Sequence, residues 1–420
     1  MKAPLNAETV RPDGTDFRRA LAGIMAVSIL IRLVFVVVFS RTGANALLDS
    51  ERYTRVAMNL LAGNGFAEWG THPTAFAPPV YPFFLAACYG LFGVHPLLVK
   101  LVQAVAGGLV PLTVFGMGRR LAGDRPALWA SAVTAVYPEL VVMTGYLYTE
   151  TFFILMTCLF FMFLLNALHS DRTRDWILSG VSLGLGLLVR GLLLLFPPFL
   201  FLAFLAVRPL RPRLKKIVLL SAVGYALLTP WTLRNAAVFH RFIPLTTGGG
   251  GELWIGSDVE RGGRYRYGES DKAIRALTAE AKSEPEKEDI LFRAALRNMR
   301  RDPAGYVRVC LGKGVRFFLQ IYENRPTGAT RTRSRLVVLV LSVSYFPLLF
   351  LGLAGLWRAR REWPRWIPLV ALFAYTLLLY MATHFVPRYR IPLIPFLSLF
   401  AAYGLAGLVK SLPHALKRRG

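Results

Sequence analysis

The sequence predicts an all-α, polytopic membrane protein with about ten transmembrane helices. Three observations carry this reading. The 420 residues are 55% hydrophobic and only 18% charged. The apolar residues gather into runs of roughly 20, the length a helix needs to cross a hydrocarbon core of about 30 Å. Short arginine-rich turns separate these runs, and a helix satisfies its own backbone polar groups within lipid.

In chain order the expected spans are 20–40, 97–117, 126–144, 150–168, 176–189, 191–207, 217–233, 336–357, 366–383 and 391–409. The first run is followed by Ala44-Asn45-Ala46, which imitates a signal-peptidase site. A cleaved signal has an apolar region of about 7–15 residues, so this longer run reads as a retained anchor. Residues 78–93, PPVYPFFLAACYGLFG, open on prolines and are short for a span. They read as an interfacial segment.

Charge supports leaving that segment out of the count. Both termini then share one side with the turns GRRLAGDR, SDRTRD, RPLRPRLKK and RARREWPR, and that side collects 22 Lys and Arg. The short turns opposite hold about six, and the basic side is the cytoplasmic one. The expected organisation is an inner (plasma) membrane protein with both termini cytoplasmic. An N-terminal membrane module spans 1–233, with a first extracytoplasmic loop at 41–96. An extracytoplasmic loop domain covers 234–335, and a C-terminal membrane module covers 336–420.

The net charge of +26 does not point to nucleic acid. The basic residues sit at span ends and in the long loop, where they meet anionic membrane lipids, rather than along one recognition helix. Three scattered cysteines imply no disulfide framework. The six histidines lack metal-ligand spacing, and no HExxH, CxxC or GxSxG occurs. Gly248–Gly251 lacks the Lys-Ser/Thr of a phosphate-binding loop and reads as a flexible turn. It belongs to an expected strand-and-turn piece, TTGGGGELWIGSDVERGGRYRYGE. Two helical patterns follow, with Asp302-Pro303 as N-cap and first helical residue of the second.

In the first loop, LLDSERYTRVAMNLLAGNGF carries Tyr53, Val56, Ala57, Leu60 and Leu61 at helical spacing. This is the apolar stripe of a short helix lying on the membrane surface. Asp49 projects onto the stripe, whereas Glu51 falls opposite it, four residues before Arg55. Glu51 then makes an exposed i,i+4 pair with Arg55. Asp49 is either the helix N-cap or a carboxylate aimed at the protein, where a substrate hydroxyl could meet it. Of the two acids Asp49 is the catalytic candidate, with Glu51 second.

Lys100, Glu139, Glu150, Arg190, His384, Arg388 and Arg390 gather at the expected outer ends of spans, and Arg32 lies inside the first. Charges at membrane depth face a water-filled cavity or one another, so the set predicts a polar cavity opening outward. The ordinary reading of each is snorkelling or mutual pairing. Arg388 and Arg390, in RYR, form a candidate phosphate clamp; interface anchoring is the plainer account.

Several pieces together resemble a known family. LLDSERYTRVAMNLLAGNGF, APPVYPFFLAACYGLFG, GRRLAGDRPALWASAVTAVYPELV, YTE and LSGVSLGLGLLVRGLLLL appear in the order seen in GT-C fold glycosyltransferases. LTTGGGGELWIGSD, AALRNMRRDPAGYVRVCLGKGVRFF and HFVPRYRIPLIPF continue it. The resemblance is to bacterial glycosyltransferase family 39, the branch of the protein O-mannosyltransferases and lipid A aminoarabinose transferases. It implies a polyprenyl-phosphate sugar donor, a glycan, lipid or protein acceptor, and a catalytic acid in the first outer loop, here Asp49. The family often has two adjacent acids there, where this chain has Asp-Ser-Glu. The implied donor-phosphate ligands are Arg388, then Lys100, Arg190 and Arg390. The expected cavity lining is Tyr53, His72, Tyr146, Glu150, His384 and Tyr389. A divalent cation, Mg or Mn, assists some members of the wider fold. An O-antigen ligase or polymerase is the rival enzyme reading, but it does not require an acid just after the first span. A flippase or transporter is the rival outside enzymes, and the two halves expected of inverted repeats are not evident.

Overall fold

The computed structural model describes residues 14–41, 48–321 and 335–416, with side chains over 16–41, 50–321 and 335–409. The motif Ala44-Asn45-Ala46 lies outside the described residues. The chain is a multi-pass helical membrane protein. Helix α1 (Gly14–Ser40) leads to α2 (Leu48–Leu61) and a two-stranded antiparallel hairpin, β1 (Ala67–Trp69) and β2 (His72–Pro73). Then come α3 (Val80–Phe92), α4 (Pro96–Gly108), α5 (Val110–Leu121), α6 (Asp124–Val136), α7 (Pro138–Val142), α8 (Glu150–Ser170) and α9 (Thr173–Val189). A further group is α10 (Phe196–Ala206), α11 (Leu214–Ala226) and α12 (Thr229–Phe239). The long loop contributes α13 (Gly249–Ser257), α14 (Glu269–Leu277), α15 (Glu284–Arg301) and α16 (Pro303–Leu319). The last part is α17 (Arg335–Ala359), α18 (Trp363–Ala382) and α19 (Ile394–Leu416).

Among the described residues, five helical stretches are long and apolar enough to cross a membrane, or seven if two bent pairs each count as one span. One stretch, Arg335–Ala382, reverses direction. Tyr345 of α17 lies under Arg390 and Arg358 reaches the Tyr403 carbonyl, so α17 runs parallel to α19. Trp366 of α18 meets Tyr403 while Tyr380 meets Tyr389, so α18 runs antiparallel. The 3₁₀ turn Arg360–Glu362 makes the reversal. The expected spans 176–189 and 191–207 correspond to shorter helical stretches, α9 and Gly191–Ala206. Segment 78–93 becomes α3, 13 residues or about 20 Å, too short to cross.

Small residues let the helices meet backbone to backbone, the usual solution where lipid removes the hydrophobic drive to associate. A Cβ on Gly180 of α9 would lie 2.5 Å from the Leu220 carbonyl of α11. One on Gly355 of α17 would lie 1.8 Å from the Phe400 carbonyl of α19.

Arg32 does not face a cavity shared with the other charges. The third span bends by 51° between α6 and α7, where Pro138 has no N–H to offer the carbonyl four residues earlier. Arg32 donates to that carbonyl, Thr134 O, at 3.4 Å and to Ala135 O at 2.7 Å, while Ser28 Oγ accepts at 2.7 Å. The buried guanidinium thus caps the interrupted helix.

The long loop corrects one expectation. The glycine run begins helix α13 instead of a strand and turn, with Gly248 at φ +117° just before it. Gly250 lies against α15, where its N–H donates to Glu288 Oε2 at 2.7 Å. Trp254, Ile255, Leu291, Ala294 and Ala295 form a small core between the two helices. The helices α15 and α16 appear as expected, and Asp302 caps α16 by accepting from Gly305 N at 2.7 Å.

Candidate active site

Helix α2 packs against α3 and β1 with Val56 and Ala57 fully buried; Leu61, at the far end of the expected stripe, is exposed. Asp49 is the second residue of the helix rather than its N-cap, and its side chain lies outside the described residues. Tyr53, one turn later, stacks on Phe76 and meets Tyr81 edge-on with ring centroids 5.2 Å apart. Glu51 is exposed and only 3.8 Å from Arg55. Arg55 has a closer partner in Glu68 of β1, at 2.7 Å, and Arg52 holds the same carboxylate at 2.8 Å. Burial works to raise the Glu68 pKa, but the two guanidiniums outweigh it and hold the carboxyl below its usual range.

A polar cluster forms where α8, α9, α13 and the segment before α19 converge. Glu150, buried at the start of α8, takes Arg190 Nη1 at 2.8 Å and lies 3.2 Å from Arg388 Nε. Arg388 also covers the Tyr148 ring at 4.7 Å, and Arg190 covers Tyr389 at 5.3 Å. Tyr389 stacks on Tyr380. His384 Nδ1 contacts the Glu252 carboxylate, which α13 delivers from the long loop. Burial pushes the Glu252 carboxyl upward, but the contact with His384 and the positive charges of Arg190 and Arg388 prevail and hold it low.

Two other expected residues connect to this cluster through aromatic rings. Lys100 is buried on α4 with its ammonium 5.7 Å from the Phe39 ring. Phe39 meets Tyr146, which stacks on Tyr148 beneath Arg388. On the other flank Tyr81 joins Tyr53 to Phe152, two residues beyond Glu150. Tyr81 also donates to Gln103 Oε1 at 2.6 Å.

Two expected site residues are placed elsewhere. His72 is exposed on β2. Arg390 is buried away from Arg388, donating to Phe317 O at 2.9 Å and Gln320 O at 3.3 Å while covering Tyr345. The reason is local. Pro387–Leu393 is a 3₁₀ turn, with three residues per turn, so side chains two apart diverge instead of forming a clamp.

Residues 76–233 match the family of dolichyl-phosphate-mannose-protein mannosyltransferases. An archaeal oligosaccharyltransferase, AglB from Archaeoglobus fulgidus, solved with an inhibitory peptide and a dolichol-phosphate, superposes with a TM-score of 0.57. Identity is 16%, over 96% of this chain and 52% of that one. This chain has the GT-C fold. A second A. fulgidus oligosaccharyltransferase structure, tethered to an acceptor peptide with an NVT sequon, also gives 0.57 at 16% identity, over 96% and 51% of the two chains. ArnT from Cupriavidus metallidurans, bound to undecaprenyl phosphate, gives 0.45 at 14% identity over 94% and 78%. The GT-C chain thus spans about half the length of the oligosaccharyltransferases it resembles. No curated protein sequence matches it.

Sequence reasoning missed Glu252, Tyr380 and Glu68 in this GT-C protein. Glu252 had a signal: it is the only acid in GGGGELWIGS, among otherwise apolar or small residues. Among the described residues, no group of three or more His, Cys, Asp or Glu side chains is placed to hold a metal ion.

Proposed function

We propose that this protein is a membrane glycosyltransferase that moves a sugar from a polyprenyl-phosphate donor to an acceptor hydroxyl on the extracytoplasmic side. The observation that carries this reading is the convergence of Arg190 and Arg388 on one buried carboxylate, Glu150, within a GT-C fold. The proteins it resembles add support, since their structures hold a dolichol-phosphate or an acceptor peptide.

The chemistry is a single displacement. The acceptor oxygen attacks the anomeric carbon, and the bond from that carbon to the phosphate oxygen breaks. The polyprenyl phosphate leaves with the electron pair. Asp49 takes the hydroxyl proton, and Arg388, with Arg190, stabilises the charge gathering on the departing phosphate. One displacement inverts the anomeric configuration. Lys100, buried beside Phe39 and linked through Tyr146 and Tyr148 to Arg388, adds positive charge to the same wall.

The test compares lipid extracts and envelope glycans from cells carrying the wild type or Asp49→Asn, read by mass spectrometry. One polyprenyl-phosphate sugar should accumulate and one glycan should lose a residue. If both pools stay unchanged while the variant is expressed and folded, the transferase reading fails.

A further inference from the structure

We infer that α16 and the loop between α13 and α14 form a binding site for the phosphate headgroup of an anionic membrane lipid, separate from the Glu150 cluster. The direction of α16 comes first. Tyr306 donates to Ala382 O at 3.0 Å, Lys313 to Thr383 O at 2.5 Å, and Phe317 packs on Tyr380 and Phe385. From Tyr306 to Phe317 α16 advances about 16 Å, yet these contacts with α18 and the residues just after it all fall within 380–385. Helix α16 therefore crosses the end of a spanning helix instead of running alongside it, which lays it along the membrane surface.

The outer faces of α16 match that position. Lys313 and Phe317 are buried, while Val307, Leu311, Val315 and Leu319, four residues apart, are each more than half exposed. At 100° per residue this aliphatic ridge lies opposite the buried face, as in helices that rest in the headgroup boundary. Along its flank opens a groove of about 670 Å³ lined by Arg261, Arg264, Arg266, Arg308, Arg316 and Glu260, with Val315 at its edge. Arg261 pairs with Asp258, Arg266 lies 3.5 Å from Glu269, and Arg316 donates to Gly262 O at 2.9 Å. Five guanidiniums thus meet three carboxylates, and Arg264 and Arg308 are exposed on the groove. A cationic groove beside an aliphatic ridge suits a ligand that carries an anionic phosphate and acyl chains together. None of the groove residues belongs to the Glu150 cluster.

The purified full-length protein in detergent, titrated separately with phosphatidylglycerol and phosphatidylcholine and read by native mass spectrometry, tests this. Phosphatidylglycerol should be retained preferentially. A basic side chain near an anionic lipid contributes about fivefold, so the preference should fall on the order of twentyfold in R264Q/R308Q and return in R264K/R308K. Both positions are exposed, and unchanged melting of the glutamine variant verifies that it folds. Equal retention of the two lipids overturns the proposal, as does an unchanged preference in R264Q/R308Q. Displacement of phosphatidylglycerol by millimolar inorganic phosphate also overturns it, marking a site for a soluble anion. So does a stable dimer unaffected by phosphatidylglycerol, because a second copy would then cover the ridge.

Discussion

The break in the third span and the Glu150 cluster both bury arginine, and they answer its charge differently. At the break, Arg32 is answered by Ser28 and by the carbonyls that the bend leaves open. In the cluster, Arg190 and Arg388 are answered by a carboxylate that they share. Carbonyls fixed by a helix end have no other donor to turn to, so the first arrangement is a structural joint. A carboxylate facing two guanidiniums can release one to an incoming anion, so the second arrangement can exchange partners. The kind of acceptor around a buried cation therefore separates scaffold from site more sharply than depth does.

Substitutions at the two regions should separate in the same way. Arg388→Gln should lower turnover on the order of a hundredfold, as loss of one charge-stabilising donor does, while melting in detergent changes little. A parallel loss of melting temperature and turnover would put Arg388 with Arg32. Arg32→Met should do the reverse, costing on the order of 3 kcal/mol because two buried carbonyls lose their donor. Activity per folded molecule should persist, and assays normalised to the folded fraction check this. Lys313 sharpens the rule, being another cation held by carbonyls, Gly256 O and Thr383 O. Burial brings its pKa down to about 8. From about pH 8 to about 10.4, the ordinary lysine value, the unfolded chain holds the proton that the folded one has lost, so stability should rise with pH. Lys313→Met should flatten that rise in thermal unfolding. The smallest effect is expected at Glu51→Gln, within about 0.5 kcal/mol, since Glu51 is exposed and Arg55 keeps Glu68; a large loss of turnover would return Glu51 to the catalytic candidates.

The fold was readable because its signals are local. Apolar runs, prolines at helix starts and the Asp302 cap depend on neighbouring residues, and so the helices α15 and α16 were expected where they stand. The grouping of Glu150, Arg190, His384, Arg388 and Tyr389 was legible for a related reason, since charged residues at span ends must find one another. What stayed hidden depends on distant packing or fine backbone geometry. The glycine run looked like a flexible turn because only α15, 30 or more residues on, supplies the surface against which it becomes a helix. That helix delivers Glu252 to His384. Arg390 looked like a partner of Arg388 because spacing does not reveal a 3₁₀ turn.

That turn has a mechanical consequence. Arg388 belongs to the ion cluster, while Arg390, two residues later, grips the last carbonyls of α16. The membrane-surface helix and the cluster are therefore yoked through a single short turn of chain. A displacement of α16 would reach Arg388 through only two residues of backbone.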